Sequence, residues 1–436
     1  MNTRNAFGLA LLAHALISEP LVAQTVDFQW ARSASGTGID HGEKVATDAN
    51  GNVYVTGYFR SSTLSFGSID LTKEPGNSSS SAVFLAKYDP SGNVVWAISA
   101  GGNEEDISNG IATDSNGNVC ITGGVMSDSI TFGSITLYNA TTNQAEDVFV
   151  AKFDPDGNLL WARSGAGTGG TARDVGNAIA VDNNGNVYSC GYFRSQTISF
   201  GSVILTNEGQ ADAFIVKYDP SGNVLWARSE AGGGWDLCTG LAADASGNVF
   251  ACGRYSSNSI TIGMTTLTNV NNNYDLFIAK FDTDGNPLWA KGGSSNGNDW
   301  MPSLAVDAGG NLIATGWFET FPITFGPFTI PNSGSSDIFM VKYDPDGEEL
   351  WAIGSGEGFA EESRSVAVDG SGNSYVAGRY GTTLTLGSIT LNGSLFGNVF
   401  IAKYDPDGIA VWALGAGGID EEGGSGIAVG GNDDFR

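Results

Sequence analysis

Histidine is almost absent from this chain of 436 residues, and its two copies are His14 and His41. His14 lies in an N-terminal apolar segment that we expect to be removed. A catalytic triad that uses histidine is therefore possible only at His41, and a metal site with several histidine ligands is excluded. Enzymes that depend on histidine are thus a poor match for the sequence.

Cysteine is also rare, with four residues, which is too few and too scattered for a disulfide-rich scaffold. Cys190 and Cys252 occupy the same position of successive repeats, where Thr56 and Thr122 stand in others. We expect such residues to be small side chains buried on strands. Cys238 and Cys252 flank one predicted hairpin, so a cross-strand bridge between them stays open.

Basic residues are outnumbered, since 20 Lys and Arg face 47 Asp and Glu, for a net charge of −27. Nucleic acids and anionic membrane surfaces attract positive charge, so we predict neither as a partner. No stretch after the N-terminus is apolar for the length of a transmembrane helix. The acidic composition is compatible with cations, cationic surfaces or high solubility.

The N-terminus has the pattern of a secretory signal peptide. Arg4 precedes an apolar run from Ala6 to Ile17, and small residues follow at Val22 and Ala23. We predict a signal peptide at 1–23 and a mature chain at 24–436. This makes the protein secreted, or located on the cell surface of a bacterium.

The rest of the chain repeats one stretch, whose second copy spans residues 149–164. Alternating apolar runs flank the turn Asp154-Pro155-Asp156-Gly157, a pattern that predicts a β-hairpin. A Trp-Ala pair closes each hairpin. Its tryptophans lie between 61 and 66 residues apart, at Trp30, Trp96, Trp161, Trp226, Trp289, Trp351 and Trp412. Such a period is typical of propellers and other repeat proteins.

Each repeat holds four predicted strands, which we name a, b, c and d. In the third repeat they cover 178–181, 187–190, 214–218 and 224–228, with a further hairpin between b and c at the edge of the blade. The prediction is an all-β fold, a β-propeller of six complete repeats plus partial terminal strands, hence six- or seven-bladed. The lone d strand at 28–33 and the lone a strand at 426–429 leave that number open. A tryptophan repeated on strand d should pack between neighbouring blades.

Three short segments resemble the bacterial SBBP family of seven-bladed β-propeller repeat proteins. They are Gly51–Gly57, Phe132–Leu137 and Phe149–Asp154. The resemblance extends from about residue 27 to residue 429. It implies an exported or surface propeller, and it implies no shared reaction and no shared catalytic residues.

The connections between strands divide into two faces. The a-to-b and c-to-d turns are near copies of each other, whereas the b-to-c and d-to-a connections are long, varied and acidic. We call the face with the long connections the variable face and expect any site there. Its carboxylates could hold Ca²⁺, although a solvated acidic rim is the simpler interpretation. The weak metal candidates are Asp106, Asp174, Asp236 and Asp299.

Three tryptophans stand outside the periodic position, at Trp235, Trp300 and Trp317. All three are predicted for the variable face of neighbouring repeats, flanked by Asp236 and Asp299. Together they could form an aromatic platform for a sugar ring, with the carboxylates accepting hydroxyl hydrogen bonds. The alternative is that they fill gaps between enlarged loops.

These observations favour a secreted, non-enzymatic binding or surface-interaction module with glycan or protein ligands on the variable face. No catalytic constellation is visible in the sequence, and no cofactor is predicted. The alternative is a carboxylate-based polysaccharide hydrolase or lyase centred on Asp236 and Asp299, because paired acids carry out glycosidic chemistry. A purely structural role in an extracellular layer would require no site.

Overall fold

The computed structural model describes residues 29–76, 80–140, 145–169, 172–269, 271–319, 321–394, 397–418 and 422–430. The predicted signal peptide at 1–23 lies outside these residues. Within them the regular structure is entirely β-strand. They contain no helix long and apolar enough to cross a membrane.

Six consecutive strands make up each of the first three blades. Blade 1 contains β1 (Asp40–Thr47), β2 (Val53–Phe59), β3 (Thr63–Phe66), β4 (Ile69–Thr72), β5 (Ala82–Tyr88) and β6 (Val94–Gly101). Blade 2 contains β7 (Asp106–Thr113), β8 (Val119–Val125), β9 (Ser129–Phe132), β10 (Ile135–Tyr138), β11 (Asp147–Phe153) and β12 (Leu159–Thr168). Blade 3 contains β13 (Asp174–Val181), β14 (Val187–Phe193), β15 (Thr197–Phe200), β16 (Val203–Thr206), β17 (Asp212–Tyr218) and β18 (Val224–Glu230).

The last three blades repeat this order. Blade 4 contains β19 (Asp236–Ala243), β20 (Val249–Tyr255), β21 (Ser259–Ile262), β22 (Thr265–Thr268), β23 (Asp275–Phe281) and β24 (Pro287–Gly293). Blade 5 contains β25 (Asp299–Val306), β26 (Leu312–Glu319), β27 (Ile323–Phe325), β28 (Phe328–Ile330), β29 (Ser336–Tyr343) and β30 (Glu349–Ser355). Blade 6 contains β31 (Glu362–Val368), β32 (Ser374–Tyr380), β33 (Thr383–Leu386), β34 (Ile389–Asn392), β35 (Asn398–Tyr404) and β36 (Ala410–Ala416).

Strands a, b, c and d are the first, second, fifth and sixth strands of each blade, and they pair in that order as an antiparallel sheet. The third and fourth strands form the predicted extra hairpin. The all-β propeller prediction is therefore confirmed, with six complete blades. The observed strand a is longer than predicted in blade 3, because a β-bulge between Gly176 and Ala178 lets β13 begin at Asp174.

The turns between strands are held by their first aspartate, as turn chemistry requires. In the c-to-d turn of blade 2, Asp154 Oδ1 accepts hydrogen bonds from the backbone N–H of Asp156 at 3.0 Å and of Asn158 at 2.8 Å. The a-to-b turns repeat this arrangement, for example at Asp114. Gly157 has a φ of +85°, which glycine adopts without strain. These Asp and Gly positions therefore serve the turn.

The periodic tryptophans join neighbouring blades, as predicted. Trp96 of blade 1 donates its Nε1–H to Pro155 O of blade 2 at 3.1 Å. Trp161 of blade 2 donates its Nε1–H to Pro220 O of blade 3 at 3.0 Å. The ring of each lies on the glycine of that same turn. One flat side chain per repeat thus links strand d of one blade to the turn of the next.

The extra hairpins add a second link, at the outside of the ring. Strand β15 of blade 3 pairs with β12 of blade 2, from Gly165 opposite Phe200 to Thr168 opposite Thr197. A single bridge between Ser294 and Thr324 makes the same connection from blade 4 to blade 5. The hairpin therefore lies at the blade's edge, as expected from the sequence, and also contacts the preceding blade.

Segment 422–430 occupies the place of an inner strand in a further blade. Thr47 Oγ1 donates to Val429 O at 2.7 Å, and Thr113 Oγ1 of blade 2 donates to Thr47 O at the same distance. On its other side, Ile427 N donates to Ser365 Oγ of blade 6 at 3.1 Å. The described residues thus form six complete blades and part of one further position between blades 6 and 1.

The close contact between tryptophan and turn glycine gives a testable prediction. Gly222 has a φ of +81°, and a Cβ added there would lie 2.7 Å from the ring of Trp161. We expect Gly222→Ala to lower the free energy of unfolding by about 1–3 kcal/mol, measured by urea denaturation. Gly233→Ala is the control, because a Cβ at Gly233 meets no atom within 4 Å. Equal effects of the two substitutions would contradict this account.

Candidate functional site

The aspartates that begin strand a on the variable face are buried inside the loops. Asp106 accepts hydrogen bonds from Ser127 Oγ at 2.7 Å, from Ser127 N at 3.1 Å and from Gly102 N at 2.8 Å. Its side chain therefore ties the d-to-a loop to the end of strand b. We call this arrangement the aspartate clasp.

The clasp recurs in the following blades. Asp174 accepts from Ser195 N at 3.0 Å and Asp236 accepts from Ser257 Oγ at 2.7 Å, whereas Asp299 accepts from Ser295 Oγ at 2.8 Å within its own d-to-a loop. All of these aspartates have no solvent exposure. Burial raises the pKa of Asp236 to about 6 and that of Asp299 to about 8, although their hydrogen bonds oppose the shift.

These positions correct two expectations from the sequence. Asp106, Asp174, Asp236 and Asp299 each close a loop of a separate blade and do not form a ring of solvated carboxylates. Among the described residues no group of three or more His, Cys, Asp or Glu side chains is placed to hold a metal ion. Asp236 and Asp299 are also too deeply buried to accept hydrogen bonds from a sugar.

Two of the three non-periodic tryptophans come together on the variable face. Trp300 and Trp317 face each other across strands β25 and β26, with ring centroids 5.3 Å apart and planes inclined by 10°. The Arg254 guanidinium of blade 4 covers Trp300, with its carbon 3.2 Å from the ring centroid, and it lies 4.2 Å from the Tyr274 centroid. We call Tyr274, Arg254, Trp300 and Trp317 the aromatic stack. All four are partly exposed.

The third tryptophan lies one blade boundary before the stack, in the loop before β19. Trp235 carries the Arg194 guanidinium 4.9 Å from its ring centroid, and its Nε1–H donates to Gln210 Oε1 at 2.7 Å. Arg194 is exposed, whereas Trp235 is partly buried. Blades 3 to 5 therefore present two arginine–tryptophan contacts, one at each of two successive blade boundaries.

Some arginines of the variable face form ion pairs with glutamates and others do not. Arg60 and Arg173 both contact Glu105, at 2.9 and 3.7 Å, and Arg173 also contacts Glu146 at 2.9 Å. Arg194 and Arg254 make no ion pair with any described residue. Burial lowers the pKa of Arg254 to about 10, so it stays a cation. Its Nε and Nη1 are buried without a hydrogen-bond partner among the described residues.

The central channel is narrow and filled by links between blades. The bulge residues of strand a line it, and Asn109 Nδ2 donates to Gly176 O at 3.0 Å, while Thr239 Oγ1 donates to Met301 O at 2.6 Å. Lys44 reaches into the same space and donates to Ser425 O at 3.1 Å. The cavity that remains measures about 130 Å³. It is small for a substrate site.

Sequence reasoning identified Trp235, Trp300 and Trp317 and missed Arg254, Tyr274 and Arg194. The sequence could have identified Arg254, because it occupies the repeat position that holds Tyr58 in blade 1 and Tyr192 in blade 3. Residues that differ between blades at one repeat position are not needed for the shared blade structure, so they indicate surfaces with another role. Tyr274 lies in an irregular loop, and no periodic pattern places it.

Comparison with known proteins identifies relatives of low sequence identity. No family model matches the chain. An uncharacterized WD repeat-containing protein of Acanthamoeba polyphaga mimivirus is 26% identical over 382 residues, covering 72% of this chain and 27% of the viral protein. Regulatory protein FlaEY of Caulobacter vibrioides is 29% identical over 180 residues, covering 41% of this chain and 18% of FlaEY. The chain thus spans less than a third of either relative.

Among solved structures, a chain of the mitotic checkpoint complex covers 99% of this chain and 94% of its own length, with 13% identity and a TM-score of 0.47. BamB from Moraxella catarrhalis covers 89% of this chain and 99% of its own length, with 13% identity and a TM-score of 0.32. At these TM-scores the structural similarity supports no conclusion about function.

Proposed function

We propose that this protein is an exported, non-enzymatic binding module that holds an extracellular protein partner on its variable face. The observation that carries the proposal is the aromatic stack of Tyr274, Arg254, Trp300 and Trp317, with the Arg194–Trp235 contact beside it. Trp, Tyr and Arg are the residue types that dominate the binding energy of protein interfaces. The same two positions hold the stacked rings of His41 and Tyr58 in blade 1, with centroids 5.0 Å apart, but Ile107 and Gly124 in blade 2, so the packing of the ring does not require aromatic side chains there.

The geometry favours a protein partner over a glycan. A sugar ring that stacks on tryptophan needs one free face of the indole. Both faces of Trp300 are occupied, one by Trp317 and the other by Arg254. Trp300 therefore offers no face to a sugar ring, and the stack presents a cation and a pre-formed aromatic pair, which suit peptide groups and side chains of a protein surface.

Export is supported by the N-terminal sequence, in which Arg4 precedes the apolar run 6–17 and the small residue Ala23. The excess of acidic residues keeps an exported protein soluble. The hydrolase alternative receives no comparable support. The raised pKa of Asp299 would suit a general acid, but its carboxyl has no solvent exposure and accepts a hydrogen bond from Ser295 of its own loop.

The test is affinity capture of surface and extracellular proteins of the source bacterium on the immobilised mature chain, followed by affinity measurement with the purified partner. We expect Trp317→Ala to weaken binding by about 30-fold or more, the effect of losing about 2 kcal/mol at an interface hot spot. Met264→Ala is the matched control, because Met264 is fully exposed on the outer hairpin of blade 4. Circular dichroism checks that both variants stay folded.

Two results would overturn the proposal. One is a partner that binds Trp317→Ala and the Met264→Ala control with equal affinity. The other is binding on a glycan array that Trp317→Ala abolishes, with no protein captured, which would assign the surface to a glycan. Release of reducing sugar ends from a polysaccharide would instead identify an enzyme.

A further inference from the structure

One position of the interface between blades recurs around the ring as a contact between two γ-atoms. In blade 1, Thr56 Oγ1 on strand b lies 2.8 Å from Ser108 Oγ on strand a of blade 2. In blade 5, Thr315 Oγ1 lies 2.7 Å from Ser363 Oγ of blade 6. Both pairs are fully buried. The backbones at this position therefore hold two short side chains tip to tip across the blade boundary.

The equivalent positions at the boundary between blades 2 and 3 also lie close together, although they hold different residues. The partner of Thr122 on strand a of blade 3 is Gly176, and a Cβ added to Gly176 would lie 2.2 Å from Thr122 Oγ1. Thr122 Oγ1 instead contacts Ser189 Oγ at 2.9 Å. The proximity is thus a property of the repeated backbone and does not depend on one pair of side chains.

Between blades 3 and 4 this position holds two cysteines. Cys190 pairs with Ala178 and Ile215 in its sheet, as Thr56 pairs with Lys44 and Leu85. Cys238 lies opposite Gly253, as Ser108 lies opposite Gly123. Cys190 and Cys238 share one core cluster, and interaction with the Cys238 thiol adds to the burial that raises the pKa of Cys190.

We propose that Cys190 and Cys238 form a disulfide that covalently joins blade 3 to blade 4. A disulfide requires the two Cβ atoms of its cysteines to lie close together with converging side chains, and this is the relation that the equivalent Thr–Ser pairs show. The sequence left open a bridge between Cys238 and Cys252 instead. The Cys252 side chain points toward blade 5, where its Sγ lies 3.4 Å from Met301 O.

The bond forms by thiol–disulfide exchange with a low-molecular-weight disulfide such as oxidised glutathione. One cysteine thiolate attacks the glutathione disulfide and releases one glutathione thiolate; the second cysteine thiolate then attacks the mixed disulfide and releases the other. The two cysteines lose two protons and two electrons, and one glutathione disulfide becomes two thiols. In the folded protein both thiols are buried and burial raises the pKa of Cys190. The reaction therefore takes place during folding, before blades 3 and 4 close on each other.

The test is refolding of the full chain from denaturant, once in a glutathione redox buffer and once in excess dithiothreitol. In the redox buffer we expect the number of free thiols to fall from four to two, the mass to fall by two hydrogens, and peptide mapping to link Cys190 to Cys238. The oxidised protein should unfold at a higher urea concentration than the reduced one, because the bond restricts the unfolded chain.

The chain supplies its own matched control. The double variant Cys190→Thr with Cys238→Ser copies the Thr56–Ser108 pair, so it should fold, keep two free thiols and unfold at the same urea concentration in both buffers. Cys252→Ser should still lose two thiols. Four free thiols after refolding in redox buffer, or a peptide linking Cys238 to Cys252, would overturn the proposal.

Discussion

Raising the pH from about 5.5 to about 8.5 is expected to lower the free energy of unfolding by at least about 3 kcal/mol. The cause is a set of buried carboxyl groups whose pKa is raised by loss of solvent. Burial raises the pKa of Asp299 and Glu361 to about 8, and that of Asp212, Asp275 and Glu146 to about 7. Oδ1 of Asp212 and Oδ1 of Asp275 are buried without a hydrogen-bond partner among the described residues.

The direction follows from proton binding. An unfolded carboxyl loses its proton near pH 4, whereas these folded groups keep theirs up to about pH 7 to 8, so the folded state binds more protons in between. Stability gained from them is complete below the unfolded pKa and is lost as the pH rises through the folded pKa. Asp299 alone, with a folded pKa of about 8, accounts for about 3 kcal/mol over this range.

The turn aspartates set the acidic limit. Hydrogen bonds from the turn hold the pKa of Asp114, Asp307 and Asp369 below its usual range, despite partial burial. Their contribution is present above about pH 4 and is lost as the pH falls through their folded pKa. Greatest stability is therefore expected in mildly acidic solution.

The measurement is urea denaturation at several pH values, with constant ionic strength and dithiothreitol present so that the cysteines stay reduced. Asp299→Asn should remove a large share of the pH dependence, because it replaces the titrating group by a neutral one of the same shape. Asp156→Asn, at an exposed turn position, is the matched control substitution. A stability that rises from pH 5.5 to 8.5 would contradict the burial argument.

Replacing Trp161 by alanine is expected to lower the free energy of unfolding by about 3–5 kcal/mol. Trp161 is 4% exposed, lies on Gly222 of the next blade and donates its Nε1–H to Pro220 O. The substitution removes both the ring and the donor, so the boundary between blades 2 and 3 keeps its β12–β15 pairing but loses the contact with the c-to-d turn of blade 3. Trp161→Phe keeps a ring and loses the donor, and we expect a smaller loss of about 1–2 kcal/mol.

Leu160→Ala serves as the control for this series. Leu160 is the preceding residue on the same strand, and its side chain points to solvent with 49% exposure. Urea denaturation of the three variants at one pH gives the comparison. Equal losses for Trp161→Ala and Leu160→Ala would show that the periodic tryptophan does not join the blades.

Much of the fold was predictable because its causes are local. The turn at Asp154–Gly157 needs only an aspartate that caps its own backbone and a glycine that accepts positive φ. Alternating apolar residues on both sides determine the strand pairing, and the repeat of Trp161 determines contact with a neighbouring copy. The turn and strand signals lie within a few residues of each other, and the tryptophan recurs at a nearly constant spacing along the chain, so the sequence alone reveals both.

The site depended on contacts that the sequence does not reveal. The positions of Asp236 and Asp299 in the repeat are equally compatible with a solvated acidic rim. Only the structure of the loop around each aspartate shows that its carboxyl is buried against serine. The contact of Arg254 with Trp300 joins residues of different blades, and so does that of Cys190 with Cys238. Sequence by itself determined the propeller, its turns and its repeated tryptophans. Tertiary structure decided which side chains are buried and which meet across a blade boundary, because burial and long-range contact arise only when the blades close into a ring.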